Sequence, residues 1–242
     1  MRVLILGGTG EARDLAAALH AQNVAVISSL AGRVARPRLP VGEVRIGGFG
    51  GPDKLAEWLR ANEIAAVVDA THPFAERISA SAAQAASAAH KPLLRLERPG
   101  WSERDGDRWT WADDLDHAAR LIPQCARVLL TTGRQGLPAF ARSEAFFLIR
   151  CVDPPDPPLP PHHELLLDRG PYTVAGEGSL IDAHRLDLVV TKDSGGALTH
   201  AKLDAARARG LPVIVVRRPP RPQTPAVATV AEAVAWARAH AG

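Results

Sequence analysis

Around residue 10 the chain reads Leu6-Gly7-Gly8-Thr9-Gly10-Glu11-Ala12-Arg13. A glycine-rich turn between an apolar run and an amphipathic segment can offer backbone N–H groups to a phosphate, with a helix N-terminus behind them. Gly8 and Gly10 would supply the tight turn and the close approach to a pyrophosphate. Gly7, Thr9, Glu11, Ala12 and Arg13 complete the candidate cradle. The third glycine of a dinucleotide fingerprint is missing, because Arg13 stands in its place. About 20 residues on, NAD enzymes usually carry Asp or Glu for the ribose 2′-hydroxyl. Here the sequence is Ser28-Ser29-Leu30-Ala31-Gly32-Arg33, with no acid. Hydroxyls and Arg33, with Arg36 and Arg38 beyond it, suit a 2′-phosphate, so NADPH is expected in preference to NADH. The plain alternatives are turn chemistry for the glycines and a solvated basic loop for the arginines.

Three more clusters carry polar chemistry. In Asp69-Ala70-Thr71-His72-Pro73-Phe74, His72 could orient a ligand or donate a proton, or merely lead into a helix with Pro at its first turn. Thr131-Thr132-Gly133-Arg134 closes another apolar run. Thr191-Lys192-Asp193-Ser194-Gly195-Gly196 closes a third, and its successive backbone N–H groups, hydroxyls and lysine make a nest for an anion. His72, Lys192, Asp193 and Tyr172 are the candidate proton donors, unranked.

These clusters sit at the ends of elements that alternate in type. Arg2–Leu6, Val24–Ser28, Val44–Ile46, Ala65–Asp69 and Leu93–Leu96 read as buried strands. Glu11–His20, with Ala12, Leu15, Ala16 and Leu19 on one face, Pro52–Asn62 and Phe74–His90 read as helices between them. That rhythm implies a parallel, doubly wound sheet with right-handed crossovers. Arg98–Asp114 breaks the pattern. A second α/β series then uses Val128–Thr131, Phe146–Val152, Leu188–Thr191 and Val213–Val216, and ends in a helix from about Val230 with Thr229 and Glu232 as a capping box. The expected fold is α/β, with two Rossmann-like domains, 1–98 binding NADP and 99–242 completing a substrate cleft between them. Pro154–Pro161 holds six prolines and cannot form a central strand or helix. Arg217–Pro225 reads as a basic, proline-rich surface loop.

Composition narrows the class. The chain has 242 residues, 46% hydrophobic and 23% charged, with a formal charge of +3, too small to call for nucleic acid. Lys54, Lys91, Lys192 and Lys202 are the lysines, and every other basic residue is arginine. Coding bias explains that, and so does a substrate rich in carboxylates, which arginine grips with two parallel hydrogen bonds. Cys125 and Cys151 show neither disulfide nor metal spacing, and no metal is expected. No apolar run reaches the ~18 residues that span a bilayer, and no leader precedes the first strand. A cytoplasmic location is therefore expected. Oligomeric state is left open, with a monomer allowed.

Gly7–Arg13, Ser29–Arg33, Ile46–Gly51 (Ile-Gly-Gly-Phe-Gly-Gly), Asp69–Ala75 (Asp-Ala-Thr-His-Pro-Phe-Ala), Thr131–Arg134 and Thr191–Gly196 occur in that order. Together they resemble the precorrin-6A reductases, including the cobalt-precorrin-6A reductases, from Arg2 to about Pro219. The resemblance implies transfer of a hydride from NADPH to a carbon–carbon double bond of the precorrin-6A macrocycle in cobalamin biosynthesis, with a proton added at the neighbouring carbon. It implies that Gly47, Gly48, Thr71 and His72 join the cofactor site. Phe74, Thr131, Thr132, Gly133, Arg134, Thr191, Lys192, Asp193, Ser194 and Gly195 would hold the tetrapyrrole. The proline tract and the arginine-rich tail loop match nothing in that pattern.

Rival classes fare worse. A short-chain dehydrogenase needs Tyr-x-x-x-Lys, but Tyr172 is the only tyrosine and Gly176 occupies the lysine position. A methyltransferase would want an acid where Ser28 and Ser29 stand. A non-enzymatic NADP sensor, or another NADPH reductase of a polycarboxylate, remains as the alternative.

Overall fold

The computed structural model describes residues 2–32, 37–197 and 199–241, which divide into two compact units. The first comprises Met1–Pro99 and Pro219–Gly242, the second Gly100–Arg218.

The first unit contains β1 (Arg2–Leu6), α1 (Gly10–His20), β2 (Ala25–Leu30), β3 (Glu43–Ile46), α2 (Pro52–Ala61), β4 (Ile64–Asp69), α3 (Glu76–Ala88) and β5 (Leu93–Leu96). Its sheet has the order β12-β5-β4-β1-β2-β3, where β12 is Ala226–Val227 from the far end of the chain. All its pairings are parallel. β4 is buried along its whole length, as a strand covered on both faces must be. Leu15 and Leu19 of α1 meet Ala233 and Ala237 of the final helix over one face. Leu55 and Leu59 of α2 and Ala82 and Ala85 of α3 cover the other.

The second unit contains β6 (Trp109–Ala112), α4 (Leu115–Arg120), β7 (Arg127–Thr131), a 3₁₀ helix (Arg134–Phe140), β8 (Phe146–Cys151), β9 (His163–Leu167), α5 (Val174–His184), β10 (Leu188–Lys192), α6 (Ala201–Ala208) and β11 (Val213–Val216). Its strand order is β6-β11-β10-β7-β8-β9, again parallel throughout. Ile181 of α5 and Leu203, Ala205 and Ala206 of α6 pack on Leu129, Leu148 and Val189.

Several elements differ from the reading of the sequence. The tail, expected with the second domain (99–242), belongs to the first unit. There β12 pairs Ala226 with Arg95 and Val227 with Leu96, and α7 (Val230–Ala241) lies on α1. β6 falls inside the stretch taken as a boundary, and both it and β9 are edge strands with little apolar patterning. α5 was obscured by Gly176 and Gly178. Gly178 is buried, and a Cβ there would come within 2.6 Å of the Arg209 guanidinium, while glycine itself is a poor helix former. α3 begins at Glu76 rather than Phe74, because 72–75 forms a turn in which Ala75 N–H donates to the His72 carbonyl at 2.8 Å.

Candidate functional site

The glycine turn lies at the carboxyl end of β1, beside β4, where the strand order reverses and open α/β sheets bind ligands. Thr9 caps α1, its Oγ1 accepting from Ala12 N–H at 3.1 Å and donating to the Ala70 carbonyl at 2.7 Å. One hydroxyl thereby ties the turn after β1 to the turn after β4. A Cβ on Gly7 would meet Leu30 Cδ2 at 3.4 Å and Ala12 Cβ at 3.5 Å, ordinary contact distances. Gly8 is different: its φ is +113°, yet a Cβ there would meet nothing within 4 Å. Its requirement is conformational, and the space over it is open.

A concavity on one side of this turn is lined by Gly7, Gly8, Ala12, Arg13, Ser28, Leu30, Arg38 and Pro40. Ser28 is 2% exposed, and its Oγ has no hydrogen-bond partner among the described residues. A buried hydroxyl without a partner costs free energy until something fills it. The lining has two arginines and no acid, which fits a dinucleotide carrying an extra phosphate. Ser29 is engaged otherwise: its Oγ accepts from Arg45 Nη1 at 3.4 Å. Arg45 also donates to the carbonyls of Gly47 (2.5 Å) and Gly48 (2.8 Å) and stacks 3.8 Å from the Phe49 ring centroid. Burial pulls its pKa below the usual arginine value. Arg45 thus braces the Gly47–Gly48 turn against the end of β2, a role that its position in a short strand did not reveal. Arg33 and Arg36 lie outside the described residues.

On the other side of the turn, Thr9, Glu11, Ala70, Thr71, Pro73, Leu96, Glu97 and Arg98 line a second concavity. Glu11 and Arg98 pair there at 2.7 Å. Buried Asp69 organises this edge. Its Oδ1 accepts from Thr71 N–H (3.1 Å) and Thr71 Oγ1 (2.6 Å), and its Oδ2 from Ser79 Oγ (2.6 Å). His72 Nδ1 accepts from Phe74 N–H at 3.2 Å, which leaves the hydrogen of a neutral ring on Nε2. Phe74 packs against that ring, with centroids 5.8 Å apart.

In the second unit the expected residues divide. Thr131, Thr132 and Gly133 close β7, and Thr132 Oγ1 is another buried hydroxyl without a hydrogen-bond partner among the described residues. Arg134 turns aside, donating to the Pro154 carbonyl at 3.3 Å and lying 3.8 Å from Asp153, so it anchors the start of the proline tract. Thr191 and Lys192 end β10, and Gly195 and Gly196 follow with left-handed φ of +66° and +68°. Ser194 N–H closes a tight turn on the Lys192 carbonyl at 2.7 Å. Asp193 is engaged on both carboxylate oxygens. Its Oδ1 accepts from Trp101 N–H at 2.9 Å and its Oδ2 lies 3.1 Å from Arg218 Nε. The carboxylate ties together the two points where the chain enters and leaves this unit. Tyr172 lies under the Arg150 guanidinium, 3.9 Å from its ring centroid, and burial pushes its pKa up.

The buried charges beside Tyr172 have no local signature in the sequence. Arg150 and Glu177 pair at 2.6 Å in the interior. Lys202, 3% exposed, donates from Nζ to the Thr199 carbonyl at 2.6 Å and stands 4.8 Å from the Trp101 ring centroid. Burial, abetted by Arg150 and opposed by Glu177, lowers its pKa to about 7. Among the described residues no cluster of His, Cys, Asp and Glu could hold a metal ion, and no helix is long and apolar enough to cross a membrane.

Comparison with known proteins covers nearly the whole chain. The family model described as precorrin-6x reductase CbiJ/CobK matches residues 2–238. A precorrin-6A reductase of Rhodococcus erythropolis is 59% identical over 239 residues, spanning 97% of this chain and 96% of that one. A cobalt-precorrin-6A reductase of Salmonella typhimurium is 30% identical, spanning 90% and 87%. The solved structure of a CobK precorrin-6A reductase superposes with a TM-score of 0.94 at 42% identity, covering 99% of this chain and 97% of that one.

Proposed function

Since the chain belongs to the precorrin-6x reductase family, an oxidoreductase family of cobalamin biosynthesis, we propose that it reduces precorrin-6A with NADPH as the hydride donor. The named relatives that are 42–59% identical are precorrin-6A reductases, and those named for the cobalt form are 27–30% identical. That gradient favours the metal-free macrocycle. The observation that carries the cofactor reading is the open Gly8 turn beside Ser28, Arg13 and Arg38.

NADPH, when bound, supplies the hydride that adds to one carbon of the reduced double bond while a proton adds to its neighbour. In this reading Gly8 and the first turn of α1 hold the pyrophosphate. Ser28, Arg13 and Arg38 hold the adenosine end with its 2′-phosphate, joined by Arg33 as the sequence suggested. The nicotinamide end lies along Thr9, Ala70 and Thr71. Loops after β7 and β10, with Thr132, Lys192, Ser194 and Gly195, offer donors to the substrate's carboxylates. Of the four candidate proton donors, His72 and Lys192 are favoured, because the Asp193 carboxylate is already occupied and the Tyr172 ring is covered by the Arg150 guanidinium. The conjugated macrocycle is itself electrophilic, so positioning can supply much of the rate, as effective molarities of about 10⁵ M or more permit.

The test is anaerobic mixing of the protein with precorrin-6A and NADPH deuterated at the transferable position. Oxidation of NADPH should require the pigment, shift the pigment's spectrum in step, and place one deuterium on the product. NADPH oxidation without pigment, or product lacking the label, would refute the reading.

A further inference from the structure

The arginine-rich tail loop, unexplained by the sequence, re-enters the first unit as Pro219-Pro220-Arg221-Pro222. Prolines on both sides fix φ, so the segment gives up little conformational freedom when it presents a side chain. Its backbone is pinned as well: Arg95 Nη1 donates to the Pro222 carbonyl at 2.9 Å, and Arg95 N–H to the Pro225 carbonyl at 2.8 Å. Arg221 is delivered into the interior, its side chain 8% exposed. Nη2 donates to the His72 carbonyl at 2.9 Å, Nη1 donates to Ser79 Oγ, and Nη1 lies 3.9 Å from Asp69 Oδ2. One guanidinium therefore spans the end of β4, the first turn of α3 and the peptide that joins His72 to Pro73.

We propose that Arg221 is a positioning residue for the Thr71–His72 turn, setting the direction of its side chains at the proposed nicotinamide end of the site. Asp69 fixes the near side of that turn through Thr71, and Arg221 fixes the far side through the carbonyl of His72. The planar fork matters, because a lysine ammonium cannot donate along both directions from one fixed plane. The inference rests on the cofactor reading for its consequence in catalysis, but not for the contact itself.

Arg221→Lys and Arg221→Ala are compared with the parent in the full chain, with and without NADPH. Amide exchange in residues 70–75 should quicken by about tenfold or more in both variants, while residues of β1 and α1 keep their protection. Single-turnover reduction of precorrin-6A should slow by about ten- to a hundredfold, the scale of a misplacement near 1 Å. The dissociation constant for NADPH should stay within about threefold of the parent's. Millimolar ethylguanidinium should restore part of the rate to Arg221→Ala, which a merely destabilised fold would not permit. If Arg221→Ala does not fold, Arg221→Lys carries the test. Parental exchange and parental rate in Arg221→Lys would overturn the proposal, as would a loss of NADPH affinity equal to the loss of rate. A parent that fails to reduce the pigment with NADPH would defeat the functional reading instead, and the exchange measurement would still judge Arg221.

Discussion

Lys202→Met would convert the buried lysine of α6 into an uncharged side chain of similar length, and its consequence depends on pH in a calculable way. In the unfolded chain the amine titrates at its ordinary 10.5, and in the folded protein burial lowers it to about 7. Below about pH 7 both states carry the proton, and the folded state bears the whole cost of a buried ammonium. Between pH 7 and 10.5 the unfolded chain binds a proton that the folded chain does not, so stability rises with pH. The slope is about 1.4 kcal/mol per pH unit for one group. Between pH 7, where the folded amine is half titrated, and pH 9 the parent should therefore gain about 2.3 kcal/mol relative to Lys202→Met. The cation–π contact with Trp101, worth about 1–2 kcal/mol when desolvated, offsets part of the variant's advantage near neutrality without altering the slope. Urea denaturation followed by tryptophan fluorescence at several pH values would measure it, since Trp101, Trp109 and Trp111 all belong to the second unit. The variant should be the more stable protein at pH 6.5, and the two curves should converge toward pH 10. Parallel curves across that range would refute the reasoning, because they would mean that Lys202 keeps its proton in the folded state.

The proposed cofactor site gives three more expectations. Gly8→Val should leave the fold assembled, because a Cβ there meets no neighbour. Its strained positive φ costs about 1–2 kcal/mol, and NADPH affinity should fall at least tenfold in a fluorescence titration; retained affinity would remove the turn from the site. Ser28→Ala removes a hydroxyl without a partner among the described residues, so thermal stability without cofactor should hold or rise. NADPH should meanwhile bind about three- to tenfold more weakly, as loss of about 0.5–1.5 kcal/mol implies. Arg38→Ala should cost NADPH about ten- to a hundredfold, from a charge-assisted bond of about 1.5–3 kcal/mol, and spare NADH; equal losses for both would disprove contact with the 2′-phosphate.

The sequence by itself determined the features whose causes are local. β1, the glycine turn and α1 follow from an apolar run, residues that tolerate tight turns, and a helical face of Ala12, Leu15, Ala16 and Leu19, all within twenty residues. The parallel α/β character follows from the same periodicity, and the family likeness from short motifs at strand ends. Tertiary structure alone decided which distant groups meet. Arg221 reaches Ser79 across 142 residues and Arg95 reaches Pro222 across 127, and nothing near Arg217–Pro225 signals either partner. Periodicity marks Val230–Ala241 as a helix with an apolar face but not the sheet that the face covers, so the tail was assigned to the nearer domain. Residue type marks Asp193 and Tyr172 as candidate proton donors because it records what a side chain can do. Their partners, Trp101 with Arg218 and Arg150, come from other elements of the fold. Lys202 shows the same limit from the other side: a lysine one residue into a helix reads as solvated, until packing against Trp101 and the Arg150–Glu177 pair removes the water that would keep it charged.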